Sequence, residues 1–585
     1  MANRKILFFL IRLLIWKFGS KIKDFCFIFA RLIKKTTMLQ IYCRNTKTTK
    51  SFPEGTTLQE MLPEFEFDRP YEIVSARVNN VPQGLRFRVY NNRDIEYVDG
   101  RDPSGARIYF RSLCFLLSKA ARDVFPGSKI YMENAISNGY FCNFHKADGA
   151  EVTDDDIERI RQRMMEIVNK DIPFHRYEVQ TEEAIRIFRE RGYEDKVKLI
   201  ETSGQVYMDY YTLGDTADYY YGRLVPSAGY LKLWGLERYY HGLLLRVPDR
   251  HDPNRLAPVV PQPKTFEMFN ENLKWNIIMG LNNVGDVNEA CQKGLASVLI
   301  KVSEALQEKK IVQIAEEIHK RYQENGVRLV LITGPSSSGK TTFCKRLSVQ
   351  LLACGLKPLS FSTDDYFVNR EDTPKLPNGD YDFDNFETVK HEELQRDLQK
   401  LLDGETIDIP EFNFVTGKQE YNGKKLHLDA NTVVLLEGIH ALNPRLTDQI
   451  DDTVKFRIFI NTLTSTSLDD HNIIPTSDNR LLRRIVRDYN KGAFTARQTI
   501  EQWPNVIAAE EQWIYPYQEN ADMMFNSSYL LEFAVMRNHA EAILTSVPKN
   551  CSAYTEAHRL LHFIHYFTPV PDKEIPQTSM IREFI

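Results

Sequence analysis

The sequence predicts an α/β protein whose C-terminal half is a parallel sheet flanked by helices, preceded by two smaller units. Three observations carry this. An apolar run, Leu329–Ile332, leads into Gly334-Pro-Ser-Ser-Ser-Gly339-Lys340-Thr341, and Phe343, Leu347, Leu351 and Cys354 follow at helical spacing. Two further apolar runs, Pro358–Thr363 and Thr432–Leu436, end in the carboxylates Asp364, Asp365 and Glu437. Ahead of residue 250 the pattern changes to short alternating segments, which marks separate, strand-rich units.

Composition sets the outer limits. At roughly 100–200 residues per domain, 585 residues allow several domains. With 43% hydrophobic and 26% charged residues the chain is neither disordered nor fibrous. A net charge of −4 removes whole-chain basicity as a sign of nucleic-acid binding. Eight scattered cysteines without a Cys-x-x-Cys pair fit reduced thiols in a cytoplasmic protein, not a disulfide framework or zinc site.

Residues 1–37 stand apart. Nine basic residues face the single acid Asp24, and Arg12 splits the apolar runs below the roughly 20 residues that span a bilayer. Three readings stay open: sequence upstream of a true start at Met38, a basic membrane-surface helix, or a targeting signal. No stable membrane partner is expected.

From Met38 the elements come in order. Leu39–Cys43 alternates, Leu58–Leu62 forms a short helix, and Ile73–Val78, Phe87–Tyr90 and Ile95–Val98 are strands. "PEGTTLQEML", "VNN" and "IEYVDG" resemble a TGS module, the small β-grasp domain of threonyl-tRNA synthetases, over 38–100. Residues 101–250 carry a helix at Arg111–Ala120, then "DVFPGSKIYMENAISNGYFCNF", a helical run "VTDDDIERIRQRMMEIVNKDIPFHRYEV" and "DYYYGRLVPSAG". This order resembles the α+β editing domain of threonyl- and alanyl-tRNA synthetases. A Pro-rich linker at 248–263 and helices complete 251–325, with Val298, Val302, Ala305 and Leu306 near one face.

The chemistry lies in the next unit, 326–547, with a C-terminal helix and tail at 548–585. Gly334 and Gly339 let backbone wrap phosphates, and amide groups at a helix start supply partial positive charge. The loop Gly334, Pro335, Ser336, Ser337, Ser338, Gly339, Lys340, Thr341 and Thr342 is therefore the expected ATP site. Lys340 reaches the β- and γ-phosphates, and the Thr341 hydroxyl ligates Mg²⁺. Glu437 at a strand end holds the hydrated Mg²⁺. A carboxylate after the preceding strand accepts the proton of the attacking hydroxyl.

"GPSSSGKTT", "FSTDDYF", "YDFDNFE", "IPEFNFVTGK", "VVLLEGIHAL" and "RLLRRIVRDYNKG" then resemble, in order, the uridine kinases of the uridine kinase and phosphoribulokinase family. The whole chain resembles bacterial nucleoside kinases with synthetase-like N-terminal regions. The resemblance implies Asp364 as general base on the ribose 5′-hydroxyl, with Asp365 second, and Asp384 on the ribose hydroxyls. It implies a lid helix bearing Arg480, Arg483, Arg484 and Arg487, with Arg480 on substrate and Arg487 at the transferred group. Two positions depart. Phe412 stands where the family has a base-contacting tyrosine, and Gly417 where it has a histidine.

The expected activity is ATP-dependent phosphorylation of a nucleoside. The alternatives are a kinase of another small alcohol, such as a phosphosugar or pantothenate, or a nucleotide-gated RNA- or ribosome-binding regulator. In the editing-like unit the family's reactive positions fall on Arg111, Phe115, Tyr220 and Leu224. None of these is a good metal ligand, so the expectation is binding or scaffolding, with at most weak tRNA or RNA contact.

Overall fold

The computed structural model describes residues 37–585, so the expectations for the basic segment before Met38 lie outside the described residues. Strand β1 (Met38–Cys43) pairs antiparallel with β2 (Thr48–Pro53) and buries Leu39, Ile41 and Cys43 on one face. Helix α1 (Leu58–Met61) opens on a capping box in which Thr57 and Glu60 satisfy each other's backbone amides. Strands β3 (Ser75–Val78), β4 (Val81–Gln83) and β5 (Arg93–Val98) complete a sheet ordered β2-β1-β5-β3-β4. The strand expected at Phe87–Tyr90 is not one. Asn79 and Asn80 both take positive φ, so a two-residue turn returns the chain at once and 81–83 take the pairing.

Helix α2 (Pro103–Val124) runs buried beneath a four-stranded sheet that includes β6 (Lys129–Ile136) and β7 (Gly139–His145). Helix α3 (Asp154–Asn169) is shorter than its sequence pattern suggests. Asp171 at φ 48° and then Pro173 stop it, and Phe174–Gln180 forms strand β8 instead. Helices α4 (Thr181–Glu190) and α5 (Glu194–Ser203) precede β9 (Tyr207–Leu213) and β10 (Thr216–Asp218), which join β8 in a three-stranded sheet. Strands β11 (Gly235–Tyr239) and β12 (Gly242–Arg246) close the four-stranded sheet.

Helices α6 (Pro263–Met279), α7 (Val284–Gln292) and α8 (Ala296–Asn325) follow. In α8 the expected face is rotated. Val298 is exposed, whereas Leu299, Ile300, Ser303 and Gln307 are buried and continue into Ile311, Ile314 and Ile318. Packing of that second half against the next sheet fixes the helix register.

That sheet is wholly parallel. It is built from β13 (Leu329–Thr333), β14 (Lys357–Ser362), β17 (Thr432–Glu437), β18 (Lys455–Asn461) and β19 (Met523–Asn526), ordered β14-β17-β13-β18-β19. Leu329 and Leu331 face one core, Val330 and Ile332 the other, as the alternation of a strand requires. Helix α9 (Lys340–Ala353) covers the second face and ends before Gly355, whose φ is 84°. Helix α10 (His391–Leu402) and the hairpin β15 (Ile407–Asn413) and β16 (Lys418–Leu426) lie between β14 and β17. Helices α11 (Thr476–Asn490), α12 (Ala496–Trp513), α13 (Glu532–Thr545) and α14 (Tyr554–Ile564) complete the chain's regular structure. Cys43, Cys114, Cys142, Cys291, Cys344, Cys354 and Cys551 are free thiols. Among the described residues, no helix is long and apolar enough to cross a membrane.

The stretch between β18 and α11 is the bolt between the halves. The Met132 amide donates to the Asp470 carbonyl at 2.8 Å, and the Asn472 side chain donates to the Tyr219 carbonyl at 2.9 Å. Lys196 stands 3.0 Å from Asp469 and 3.1 Å from Asp218, while His471 Nδ1 is 2.6 Å from Asp218. All four side chains are almost wholly buried.

Candidate active site

The site sits at the carboxyl edge of the parallel sheet, where strand order reverses about β13 and a crevice must open. The loop after β13 is tightly held. A Cβ on Gly334 would strike the Ile460 carbonyl, so β18 passes too close for any other residue. Ser337 and Gly339 take φ of 60° and 88°, which turns the chain sharply ahead of α9, and the Ser336 amide donates to Glu510 at 2.8 Å. Lys340 folds back over the loop, donating to the Gly334 carbonyl at 2.9 Å and the Pro335 carbonyl at 3.2 Å. Burial lowers its pKa, although Glu437, Glu583 and Asp364 pull the other way.

Thr341 Oγ1 donates to Glu437 Oε1 at 3.1 Å, bringing together the two residues expected to organise Mg²⁺. The other oxygen, Oε2, is buried without a hydrogen-bond partner. Burial raises the Glu437 pKa. A hydroxyl and a half-buried carboxylate with one orphaned oxygen form a hard-oxygen donor set that fits Mg²⁺. Among the described residues, no three His, Cys, Asp or Glu side chains converge as a metal cage. Mg²⁺ commonly takes one or two protein ligands completed by phosphate oxygens and water.

Asp364 follows β14 in a 3₁₀ turn, Thr363–Tyr366, and the turn separates the two neighbouring acids. Asp365 accepts the Ser362 amide at 3.3 Å while Ser362 Oγ accepts the Asp364 amide at 3.1 Å. Asp365 is thereby a cap. Asp364 faces the loop instead, and burial with the nearby Glu437 pushes its pKa up to about 6. Asp384 is also pushed up to about 6 by burial, with Arg484 pulling it back. His440, fully buried against the Phe386 ring, is pushed down to about 4 by burial and is neutral.

The arginines of α11 do not form one mobile lid. Arg480 is 1% exposed and forks onto Glu510, with Nη2 to Oε2 at 2.7 Å. Arg483 is 0% exposed and pairs with Glu532 and the Ser527 carbonyl. Both also reach the phosphate loop from behind, Arg480 donating to the Ser336 carbonyl and Arg483 to that of Ser337. A guanidinium locked by a buried carboxylate shapes the loop and is not free to close over substrate. Arg484 donates to Ser336 Oγ at 2.8 Å, and Arg487 lies 3.8 Å from Glu583, so these two face the nucleotide side.

Phe412, expected to face the base, packs edge-on against Phe367 and Phe414, with ring centroids at 5.6 and 5.1 Å. Gly417 has φ 69°, and a Cβ there would come within 2.9 Å of Arg370. Arg370 thus fills the space a histidine would need and donates to the Phe414 carbonyl at 2.7 Å. Arg370, Glu510, Glu532 and Glu583 were not legible as site residues. The acids lie 30 or more residues from the arginines they bind, and only the fold brings them together.

The four editing-like positions converge and are filled by side chains. The Phe115 and Tyr220 rings stand 5.5 Å apart, and Leu224 is buried beside them. The Arg111 guanidinium lies over Tyr221 at 5.5 Å and donates to the Arg223 carbonyl at 3.3 Å.

Residues 329–530 match the Phosphoribulokinase / Uridine kinase family. The N-terminal region is similar to threonine–tRNA ligases. That of Marinobacter nauticus is 30% identical over 190 residues, covering 32% of this chain and 29% of the ligase, and that of Syntrophotalea carbinolica is 30% identical over 188 residues with the same coverage. The chain therefore spans less than a third of the ligases it matches. Among solved structures, a possible uridine kinase from Bacillus stearothermophilus is 20% identical, covering 34% of this chain and 89% of that one, with a TM-score of 0.24. The D-glycerate 3-kinase of Cryptococcus neoformans is 14% identical over 37% of this chain and 93% of that one, with a TM-score of 0.28. The chain thus carries a C-terminal domain of the phosphoribulokinase and uridine kinase family, joined to an N-terminal region homologous to threonine–tRNA ligases.

Proposed function

We propose that the protein transfers the γ-phosphoryl group of ATP to the 5′-hydroxyl of a nucleoside. The observation that carries this reading is Asp364, with its pKa near 6, beside the phosphate loop and Glu437. A carboxylate there is ionised at neutral pH yet basic enough to take a hydroxyl proton as the oxygen attacks. The new O–P bond forms as the bond to the β-phosphate oxygen breaks, ADP leaves, and Asp364 returns its proton to water. The loop amides and Lys340 hold the phosphates, and Thr341 with Glu437 would hold Mg²⁺, which supplies charge neutralisation between the phosphates. Asp384 orients the ribose, Phe412 offers a face to the base, and Arg484 and Arg487 balance charge on the moving group.

A second acceptor class is favoured by a specific feature. Phe412 lacks a hydroxyl and Gly417 lacks a side chain, so this pocket cannot read a pyrimidine by those two hydrogen bonds. A screen of ADP release with four ribonucleosides, phosphosugars and pantothenate separates the readings. Turnover with a sugar or pantothenate alone would replace the nucleoside assignment. Failure with every acceptor, alongside tRNA binding, would favour a nucleotide-gated regulator. We read the ligase-like half as a scaffold, because Phe115, Tyr220 and Leu224 fill the editing-like positions.

A further inference from the structure

One more carboxylate stands at the phosphate loop, and the transfer reaction has no use for it. The chain's last described turn, Met580–Glu583, packs against the start of α9. Met580 is fully buried in the core beneath the loop, and a Cβ on Gly339 would come within 2.8 Å of its methyl group. Phe584 is buried beneath the Arg483 guanidinium at 4.6 Å, and Arg582 is tied to Asp572 at 2.8 Å. These anchors aim Glu583 at Thr342. Its Oε2 accepts the Thr342 hydroxyl at 2.7 Å and the Thr342 amide at 3.3 Å, and its Oε1 lies 3.8 Å from Arg487.

Thr342 is the third residue of α9, so its amide is one of the unpaired donors that make a helix start attract anions. In a loop of this type such donors serve the α- and β-phosphates. A carboxylate and a phosphate cannot share them: the donors are the same and the charges repel. Resting on ATP binding as read above, we propose that Glu583 is a built-in competitor for nucleotide phosphate. It occupies the Thr342 donors and Arg487 until nucleotide displaces it. Met580, Ile581 and Phe584 keep the segment anchored, so only the Glu583 side chain has to swing aside. Its departure also releases Arg487 toward the transferred group, which couples nucleotide entry to completion of the site.

The test uses the full chain and calorimetric titration with Mg-ADP. Glu583→Gln keeps the shape but removes the charge, and it should tighten binding by roughly tenfold. Glu583→Asp keeps the charge but draws it back by one methylene, so it should tighten binding by less, and it stands in if the Gln variant folds poorly. The thermal midpoint of Glu583→Gln should rise more on adding ADP than that of the unaltered protein. Equal or weaker ADP binding by both variants, with the unaltered protein still binding, would overturn the proposal and leave the nucleotide reading intact. Absence of ADP binding in all three proteins would overturn both.

Discussion

Two clusters of carboxylates, one at the junction of the halves and one at the phosphate loop, are partnered differently. At the junction of the halves, every oxygen of Asp218 and Asp469 has a partner, drawn from Lys196, His471, Asn472, Tyr220 or backbone amides. Burial alone would raise Asp218, but His471 and Lys196 overcome it and hold the carboxyl well below its usual range. At the phosphate loop, Glu437 keeps an oxygen with no partner, and Asp364 and Asp384 are pushed up to about 6. The partnering differs too. At the junction both oxygens of each acid are paired within the fold, although Lys196 Nζ and Asn472 Oδ1 make no aligned hydrogen bond and burial still pushes Asp469 and Asp470 up. At the loop one Glu437 oxygen is left without a partner. An acid left without a partner beside a phosphate loop is a candidate functional group, whereas one paired on both oxygens serves the fold.

Substitution at each cluster should break different things. Asp364→Asn removes the proton acceptor with little change of size, and kcat should fall by roughly 10²–10⁴-fold while ADP binding is retained. Asp365→Asn should cost far less in kcat, because that side chain caps a turn. Normal turnover in Asp364→Asn with a dead Asp365→Asn would reverse the assignment. Lys196→Met, at the junction, strands two buried carboxylates and should destabilise the protein by about 3–5 kcal/mol. Chemical denaturation measures this loss, while kcat per folded molecule should be unchanged. A Lys196→Met protein of normal stability would show that the junction is less matched than its distances indicate.

The same contrast explains what sequence could reveal. Gly334, Gly339, Lys340 and Thr341 were legible because a phosphate loop imposes residue types at fixed local spacing, and Glu437 because an apolar run ends in it. Asp364 could be separated from Asp365 only by family likeness, since the deciding feature is a capping bond to Ser362. Arg480 and Arg483 had the right residue types for a lid, but their buried acids lie on α12 and at the start of α13. The junction was invisible for the same reason. Lys196 and His471 are 275 positions apart and have no local pattern in common. Local elements failed where a turn overrode the pattern, as Asn79-Asn80 did for the fourth strand and Pro173 for α3.

Acid should separate the two clusters along one axis. Asp364 must be ionised to accept a proton, so kcat/KM should fall about tenfold per unit below pH 6 as the carboxyl protonates. A second junction contact resists longer. Burial would raise Glu556, but Arg107 and Arg559 dominate and hold it at about 2 against an ordinary 4.5. Because that value is depressed in the folded state, its stabilisation is complete above 4.5 and is lost as pH falls from there through 2. Between pH 4.5 and 6 the protein should be folded and slow. Circular dichroism and initial rates over one pH series test this, and unfolding that tracks the loss of activity would contradict it.

The smallest effect is expected at the proposed acceptor pocket, where Phe412 and Gly417 stand in place of the expected tyrosine and histidine. Phe412 is half-buried at the end of β15, and a tyrosine there would add one hydroxyl to a ring already placed by Phe367 and Phe414. One new hydrogen bond contributes about 0.5–1.5 kcal/mol, so Phe412→Tyr should improve kcat/KM for uridine over inosine by at most roughly tenfold. ADP affinity should stay constant, because Phe412 is not among the groups proposed to hold the phosphates. A gain well beyond tenfold would mean that the hydroxyl also reorganises the pocket, and no change at all would place the base elsewhere. The second missing group cannot be restored in the same way. Gly417 lies in the left-handed region, and any Cβ would press on Arg370, so Gly417→His should strain the hairpin instead of supplying a donor. The proposed pocket is therefore built around Arg370, and a single substitution should move its preference only part of the way toward uridine.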